Sequence, residues 1–157
     1  MINVTYFDSP VGRLRIVSKN NSLTMIVLDH HEPAFDCPFT TENTPLHNEA
    51  AKQLGEYFDG TRTEFDLPLA PEGTPFQQKD WEALRSIPYG TTCSYKDIAE
   101  AIGCPKGFRA VGMANNKNPI MIVIPCHRVI GADGSLTGYD GGIHIKKFLL
   151  EHEGVKL

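Results

Sequence analysis

Residues 94–115 read SYKDIAEAIGCPKGFRAVGMAN. Ser94 and Asp97 are spaced as a capping box, which predicts a helix running through Ile98, Ala99 and Ile102 to a stop at Gly103. The turn Cys104-Pro105-Lys106-Gly107 follows, and a second helix is expected from about Phe108 to Asn115. Two short helices joined by a glycine-containing turn spell a helix-turn-helix. The second helix carries little bulk at Ala110, Gly112 and Ala114, and Arg109 is its only charge before Lys117. So slim a helix can press into a nucleic-acid groove or pack tightly on a neighbouring helix, and its sequence allows both.

Upstream, Thr74-Pro75-Phe76-Gln77 places a capping threonine, a proline at the first helical position and a glutamine at the third. A helix is expected from Pro75 to about Ser86, burying Phe76, Trp81 and Leu84, with Pro88-Tyr89-Gly90 closing it. Residues 61–73 read as a linker with a short strand. Farther back, Ile2–Phe7, Arg13–Ser18 and Leu23–Leu28 are β-rich runs separated by turn-forming residues, which implies antiparallel hairpins. Residues 29–45 hold three prolines and read as a loop. His47–Phe58 has apolar residues at helical spacing and ends before Gly60. The expected architecture is an α/β scaffold at 1–70, a small antiparallel sheet plus one helix. It packs on a mostly helical unit at 71–157 that bears the helix-turn-helix.

Downstream lies NPIMIVIPCHRVI, residues 118–130. Ile120–Ile124 reads as a buried strand or extended segment that delivers Pro125-Cys126-His127-Arg128 at its end. A cysteine nucleophile needs a base or a cationic neighbour to become a thiolate. His127 is adjacent in sequence, and an imidazole base needs a third group to fix its tautomer. Glu151 and Glu153 of the last helix, Ile143–Glu153, are candidates for that group. On spacing alone, a buried structural cysteine fits Cys126 equally well.

Composition narrows the partners. The 157 residues carry a net charge of −4, which argues against coating nucleic acid by bulk electrostatics. The charge is uneven, however: residues 1–80 hold 6 basic and 12 acidic side chains, and residues 81–157 hold 9 and 7. Between 101 and 132 lie four basic residues (Lys106, Arg109, Lys117, Arg128) and no acidic one, so an anionic polymer would meet this segment. Cys37, Cys93, Cys104 and Cys126 form no CxxC pair, which speaks against a zinc knuckle or a dithiol redox site. Cys93 and Cys104 read as small buried hydrophobes, and Cys37 as a loop residue. His30, His31 and His47 share no ligand spacing with Cys37, so no metal or other cofactor is expected. The N-terminus shows no secretory pattern and no run is apolar enough to span a bilayer, so a cytoplasmic protein without membrane contact is expected.

PCHRVI, preceded by Asn118-Pro119 and followed by Thr137-Gly138-Tyr139 and Leu149–Gly154, closely resembles the O6-alkylguanine-DNA alkyltransferases. This is the methylated-DNA–protein-cysteine methyltransferase family. The resemblance runs from about Pro75 to Gly154 and includes Phe76-Gln77, Trp81, Ile87–Gly90, Ser94-Tyr95, Ile98-Ala99 and Arg109–Gly112. It implies a monomeric DNA-repair enzyme that takes an alkyl group from O6-alkylguanine in duplex DNA onto its own cysteine, once and irreversibly. Cys126 resembles the acceptor thiolate, and His127 the base acting through a bound water. Glu153 would orient the imidazole, Asn118 would brace the active-site turn, and Tyr95 would donate to guanine N3.

The same resemblance makes Arg109 the side chain that fills the gap left by the flipped base. Ala110 and Gly112 fit a recognition helix in the minor groove, and Ser94 and Arg128 join the expected DNA-binding set. The Val129 backbone and Tyr139 resemble the lining of the alkylguanine pocket, and Asp140 is expected beside them although it departs from the pattern, some relatives having a small or hydroxyl residue there. Phe108 departs from the pattern, because a small residue is expected at the start of this helix. Three other readings remain: a lesion sensor that does not react, a thiol hydrolase using Cys126, His127 and Glu153, and a helix-turn-helix regulator with a structural cysteine.

Overall fold

The computed structural model describes residues 2–29, 38–139 and 142–157. The chain divides into two compact units, Met1–Glu72 and Gly73–Leu157.

In the first unit, β1 (Ile2–Ser9), β2 (Gly12–Lys19) and β3 (Ser22–Leu28) form consecutive antiparallel hairpins. Asn20 and Asn21 both take positive φ, at 52° and 60°, the conformation a two-residue hairpin turn demands. β4 (Phe39–Thr40) pairs parallel with β1, and the strand order is β3-β2-β1-β4. The sheet is therefore mixed, not antiparallel as expected, and residues 29–45 are not loop throughout. Two residues carry no readable periodicity, and β4 exists only because β1 offers a free edge.

Helix α1 (Pro45–Phe58) starts at Thr44, whose side chain accepts the His47 N–H, and has proline at its first turn. It buries Leu46, Ala50, Leu54 and Tyr57, while the sheet buries Val4, Leu14, Ile16, Leu23 and Ile26. Apolar burial of this kind contributes about 25 cal/mol per Å². Buried Gln53 holds the following segment by giving a hydrogen bond to the Asp66 carbonyl (3.0 Å) and taking one from its N–H (2.9 Å). The strand expected within 61–73 reduces to a single parallel bridge between Leu23 and Leu69.

The second unit opens with α2 (Pro75–Arg85), whose capping box closes on both sides between Thr74 and Gln77. Trp81 and Leu84 are buried as expected, and Phe76 is half-buried. The two-residue β5 (Cys93–Ser94) leads into α3 (Tyr95–Ala101), where Ser94 and Asp97 complete the second expected capping box. After the turn comes α4 (Phe108–Asn116), which packs on α2 and α3. A single 3-10 turn, Cys126–Arg128, precedes β6 (Val129–Ile130), which pairs parallel with β5. Helix α5 (Ile143–His152) closes the unit.

Ile120–Ile124 is buried but is not a strand. The Val123 N–H donates to the Met121 carbonyl (2.9 Å) and the Ile124 N–H to the Ile120 carbonyl (3.0 Å). Ile122 takes φ 74°, a costly conformation for a β-branched residue. A segment buried on every side must find backbone partners. Here they come from within the segment and from Asn118, which accepts from the Ile120 N–H (3.0 Å) and donates to the Ile124 carbonyl (2.8 Å).

Candidate active site

Cys126 lies at the end of these turns, 8% exposed. The Asn118 amide that braces the turns also donates to the Cys126 Sγ at 3.2 Å. Burial pushes the thiol up to about 11, against the opposing pull of the Asn118 donor and the Lys146 cation and with the push of Asp80. At neutral pH the resting group is therefore a protonated thiol, and a base must take its proton when it reacts.

His127 is fully buried, and its Nε2 meets the Glu153 Oε2 at 2.7 Å. A carboxylate only accepts, so Nε2 carries the proton and Nδ1 presents its lone pair. Nδ1 is buried and has no hydrogen-bond partner among the described residues. Burial lowers the imidazole pKa and Glu153 works against that fall, so the ring is a neutral base.

Glu153 caps α5 and gathers more than the histidine. The Arg128 Nε donates to its Oε1 (2.8 Å), the Arg128 Nη2 to its Oε2 (3.1 Å), and the Gly90 N–H to its Oε1 (3.1 Å). The Arg128 Nη1 donates to the Ile87 carbonyl at 2.7 Å. The Ile87–Gly90 turn is thus wired to the carboxylate. A side chain at Gly90 would meet the Glu153 carbonyl at 3.0 Å. Arg128 was expected among the DNA contacts. The structure instead buries it, 6% exposed, with its guanidinium turned inward on Glu153. The desolvated carboxylate demands a cation, and the basic segment therefore keeps three exposed charges: Lys106, Arg109 and Lys117.

Tyr95, the first residue of α3, donates to the Thr137 carbonyl (2.9 Å), and burial raises its pKa. Lys146 was not foreseen. It is 1% exposed, donates to the same carbonyl (2.9 Å), and lies 3.5 Å from the Tyr95 hydroxyl. Burial brings its ammonium down to about 8, while the neighbouring Cys126 raises it. A sequence signal exists: Lys146, Leu149, Leu150 and Glu153 stand at i, i+3, i+4 and i+7, so both charges belong to the core-facing stripe of α5. Asp80 was missed in the same way, one residue before Trp81. It is fully buried and pushed by burial to about 7, and it faces the Asn115 amide, which, oriented to donate, brings its nitrogen to 2.6 and 3.0 Å from the carboxyl oxygens.

The remaining expected residues fall in two places. Arg109 and Ala110 are exposed on α4, whereas Gly112 is half-buried, and a side chain there would meet the Tyr95 ring at 3.8 Å. The Ser94 hydroxyl is occupied as the α3 cap. Val129 is buried on β6, and the Tyr139 carbonyl accepts the Gly142 N–H at 3.0 Å. Asp140 lies outside the described residues, as do His30, His31 and Cys37. Both ring nitrogens of His47 are engaged by hydroxyls. Among the described residues no group of three His, Cys, Asp or Glu side chains stands close enough to hold a metal.

Residues 75–155 match the 6-O-methylguanine DNA methyltransferase, DNA binding domain, and residues 2–71 match the ribonuclease-like domain of the same proteins. The chain belongs to the 6-O-methylguanine DNA methyltransferase family. It is 48% identical over 149 residues to a methylated-DNA–protein-cysteine methyltransferase of Methanosarcina acetivorans, covering 94% of this chain and 96% of that one. The crystal structure of the Mycobacterium tuberculosis O6-methylguanine methyltransferase superposes with a TM-score of 0.89 at 46% identity, covering 98% and 93% of the two chains. The M. tuberculosis OGT in complex with DNA gives a TM-score of 0.88 at 47% identity, covering 96% and 92%. The family resemblance read from residues 75–154 therefore extends through the N-terminal unit, which matches in its own right.

Proposed function

We propose that this chain repairs duplex DNA by moving the alkyl group of an O6-alkylguanine onto Cys126, once per molecule. The observation that carries this reading is the buried thiol held by Asn118 beside a neutral His127 whose one bare nitrogen is available as a base. The reactive carbon lies within the base stack, so the nucleotide must rotate out. Arg109, exposed and in no ion pair among the described residues, fills the space it leaves. Phosphate and groove contacts suit a repair protein better than base-edge readout, because the lesion arises in any sequence. Minor-groove entry of α4 suits its exposed Ala110.

The chemistry balances within the site. His127 takes the thiol proton through a water, with Glu153 fixing its tautomer. The sulfur attacks the sp³ alkyl carbon, the C–O6 bond breaks, and guanine leaves with a proton supplied along the Tyr95 side. Lys146 holds Tyr95 and Thr137 in place and favours the thiolate by its charge. The product thioether has no acyl carbon for water to attack, so the cysteine is not regenerated. The protein acts as a monomer, and Val129 and Tyr139 line the alkylguanine pocket.

The test is intact-protein mass after incubation with a duplex containing one O6-methylguanine, for wild type and Cys126→Ala. One added methylene on wild type alone, saturating at one per protein, is expected. Lesion-selective binding without an adduct would make the chain a sensor. Repeated turnover of a thioester would make it a hydrolase.

A further inference from the structure

The inference concerns α4, and it rests on the reading that this helix faces DNA. Val111, Ala114 and Asn115 are its buried residues. The opposite stripe is Arg109, Met113 and Asn116 at i, i+4 and i+7. Met113 is 72% exposed, and Phe108, beside Arg109 at the start of the helix, is 48% exposed. Met113 keeps most of its surface and Phe108 about half of its surface in water, and neither is among the buried residues of the helix.

The surroundings define what covers them. Lys106, Arg109 and Lys117 are exposed around the same helix, in a stretch with no acidic residue from 101 to 132. None of the three is ion-paired among the described residues. The turn that presents Phe108 is tight. The Gly107 N–H donates to the Cys104 carbonyl at 2.8 Å, and a side chain at 107 would meet the Cys104 Sγ at 2.7 Å. At the other end, the Asn116 amide and the Tyr95 hydroxyl both lie within 4 Å of where a Gly138 side chain would begin. Arg109 to Asn116 spans about 10 Å of helix, roughly three base steps. The stripe thus leads from Arg109 to the mouth of the site, and the half-exposed Phe108 ring flanks its start at the first residue of the helix.

We propose that Phe108 is an apolar wedge entering the duplex at the base step beside Arg109, with Met113 packed on the sugars of the same groove. The cations supply affinity through released counterions, which carries no shape. A ring pushed between base pairs unstacks one step and bends the helix axis, which makes rotation of the neighbouring nucleotide easier. Arg109 then occupies the vacancy while Phe108 keeps the opened step from closing.

The test uses the full chain as wild type, Phe108→Ala, Phe108→Leu and Met113→Ala. Affinity for undamaged duplex is followed by fluorescence anisotropy over a range of salt, DNA bending by energy transfer between end labels, and Cys126 methylation by mass. Phe108→Ala is expected to weaken duplex binding about tenfold with an unchanged salt slope, and to reduce the bend. The ratio of duplex repair to reaction with free O6-benzylguanine should fall by a similar factor. Phe108→Leu, which keeps apolar bulk, should recover most of the loss, and Met113→Ala should give a smaller one. Unchanged affinity and bend in Phe108→Ala overturn the wedge. So does an equal loss on the free base, which would place Phe108 at the thiol pocket. If wild type gains no methyl group while Phe108→Ala still loses affinity and bend, the alkyl-transfer reading fails and the wedge stands.

Discussion

Among the described residues, two histidines are buried to within 1% of complete exclusion, and they are built in opposite ways. His47 in the N-terminal unit has its Nδ1 against the Thr5 hydroxyl (2.6 Å) and its Nε2 against the Ser18 hydroxyl (2.7 Å). His127 in the C-terminal unit has one nitrogen on Glu153 and the other bare. Leaving a buried polar atom unpaired costs about 1–3 kcal/mol. The first arrangement spends every polar atom on joining α1 to the sheet. The second keeps a lone pair free beside a thiol that burial has left protonated. A satisfied histidine is structure, and an unsatisfied one beside a nucleophile is a base.

Exchanging the variants breaks this comparison most sharply. His127→Gln is expected to slow methyl transfer by about 10²- to 10⁴-fold, the usual worth of a positioned base. His47→Gln should leave the rate unchanged and lower stability by about 1–3 kcal/mol. Single-turnover mass kinetics and thermal unfolding of both variants read the two effects. A rate loss in His47→Gln, or none in His127→Gln, would dissolve the distinction.

The next effect concerns the group that makes His127 different. Glu153 receives His127, Arg128 and the Gly90 N–H with its carboxylate fully buried, and removing its charge leaves the buried Arg128 guanidinium without its ion-pair partner. Breaking one partner of a buried pair costs about 3–5 kcal/mol. Glu153→Gln should lose stability on that scale and also slow alkylation of Cys126 by a small electrophile, while duplex binding persists. Equal labelling rates in wild type and variant would remove Glu153 from the proton relay.

These groups were unequally legible. The caps at Thr74–Gln77 and Ser94–Asp97 are local, three residues apart, and the structure repeats them. The PCHR segment also stood out, because few residue types can serve a thiol, whereas spacing left Glu151 and Glu153 equal and only the family resemblance singled out Glu153. Arg128 misled, because its inward turn depends on Glu153 and on the Ile87 carbonyl, 25 and 41 residues away. Lys146 and Asp80 were hidden for the same reason, each being a charge on an apolar helix stripe whose partners come from other elements. Ile120–Ile124 showed its burial but not its path, since hydrophobicity fixes what is inside and the Asn118 side chain fixes how it turns.

The remaining effects are slopes in pH, gradual rather than all-or-none, and they separate the two kinds of buried group again. Burial lowers the His47 pKa below its ordinary 6.5, so its contribution to stability is complete above that value and is lost as pH falls toward the folded pKa. Burial raises Asp80 from 3.8 to about 7, so the folded protein keeps a proton that the unfolded chain has released. Its contribution is complete below 3.8 and is lost as pH rises through about 7. Each group tilts the stability profile by at most about 1.4 kcal/mol per pH unit, in opposite directions. Asp80→Asn keeps an amide facing Asn115 and removes the titration, so its melting temperature should gain on wild type as pH rises from 4 to 7. His47→Gln should instead gain on wild type as pH falls below 6.5. Parallel profiles for Asp80→Asn and wild type would mean that the carboxyl is ionised throughout, with the Asn115 amide supplying all the compensation that burial demands.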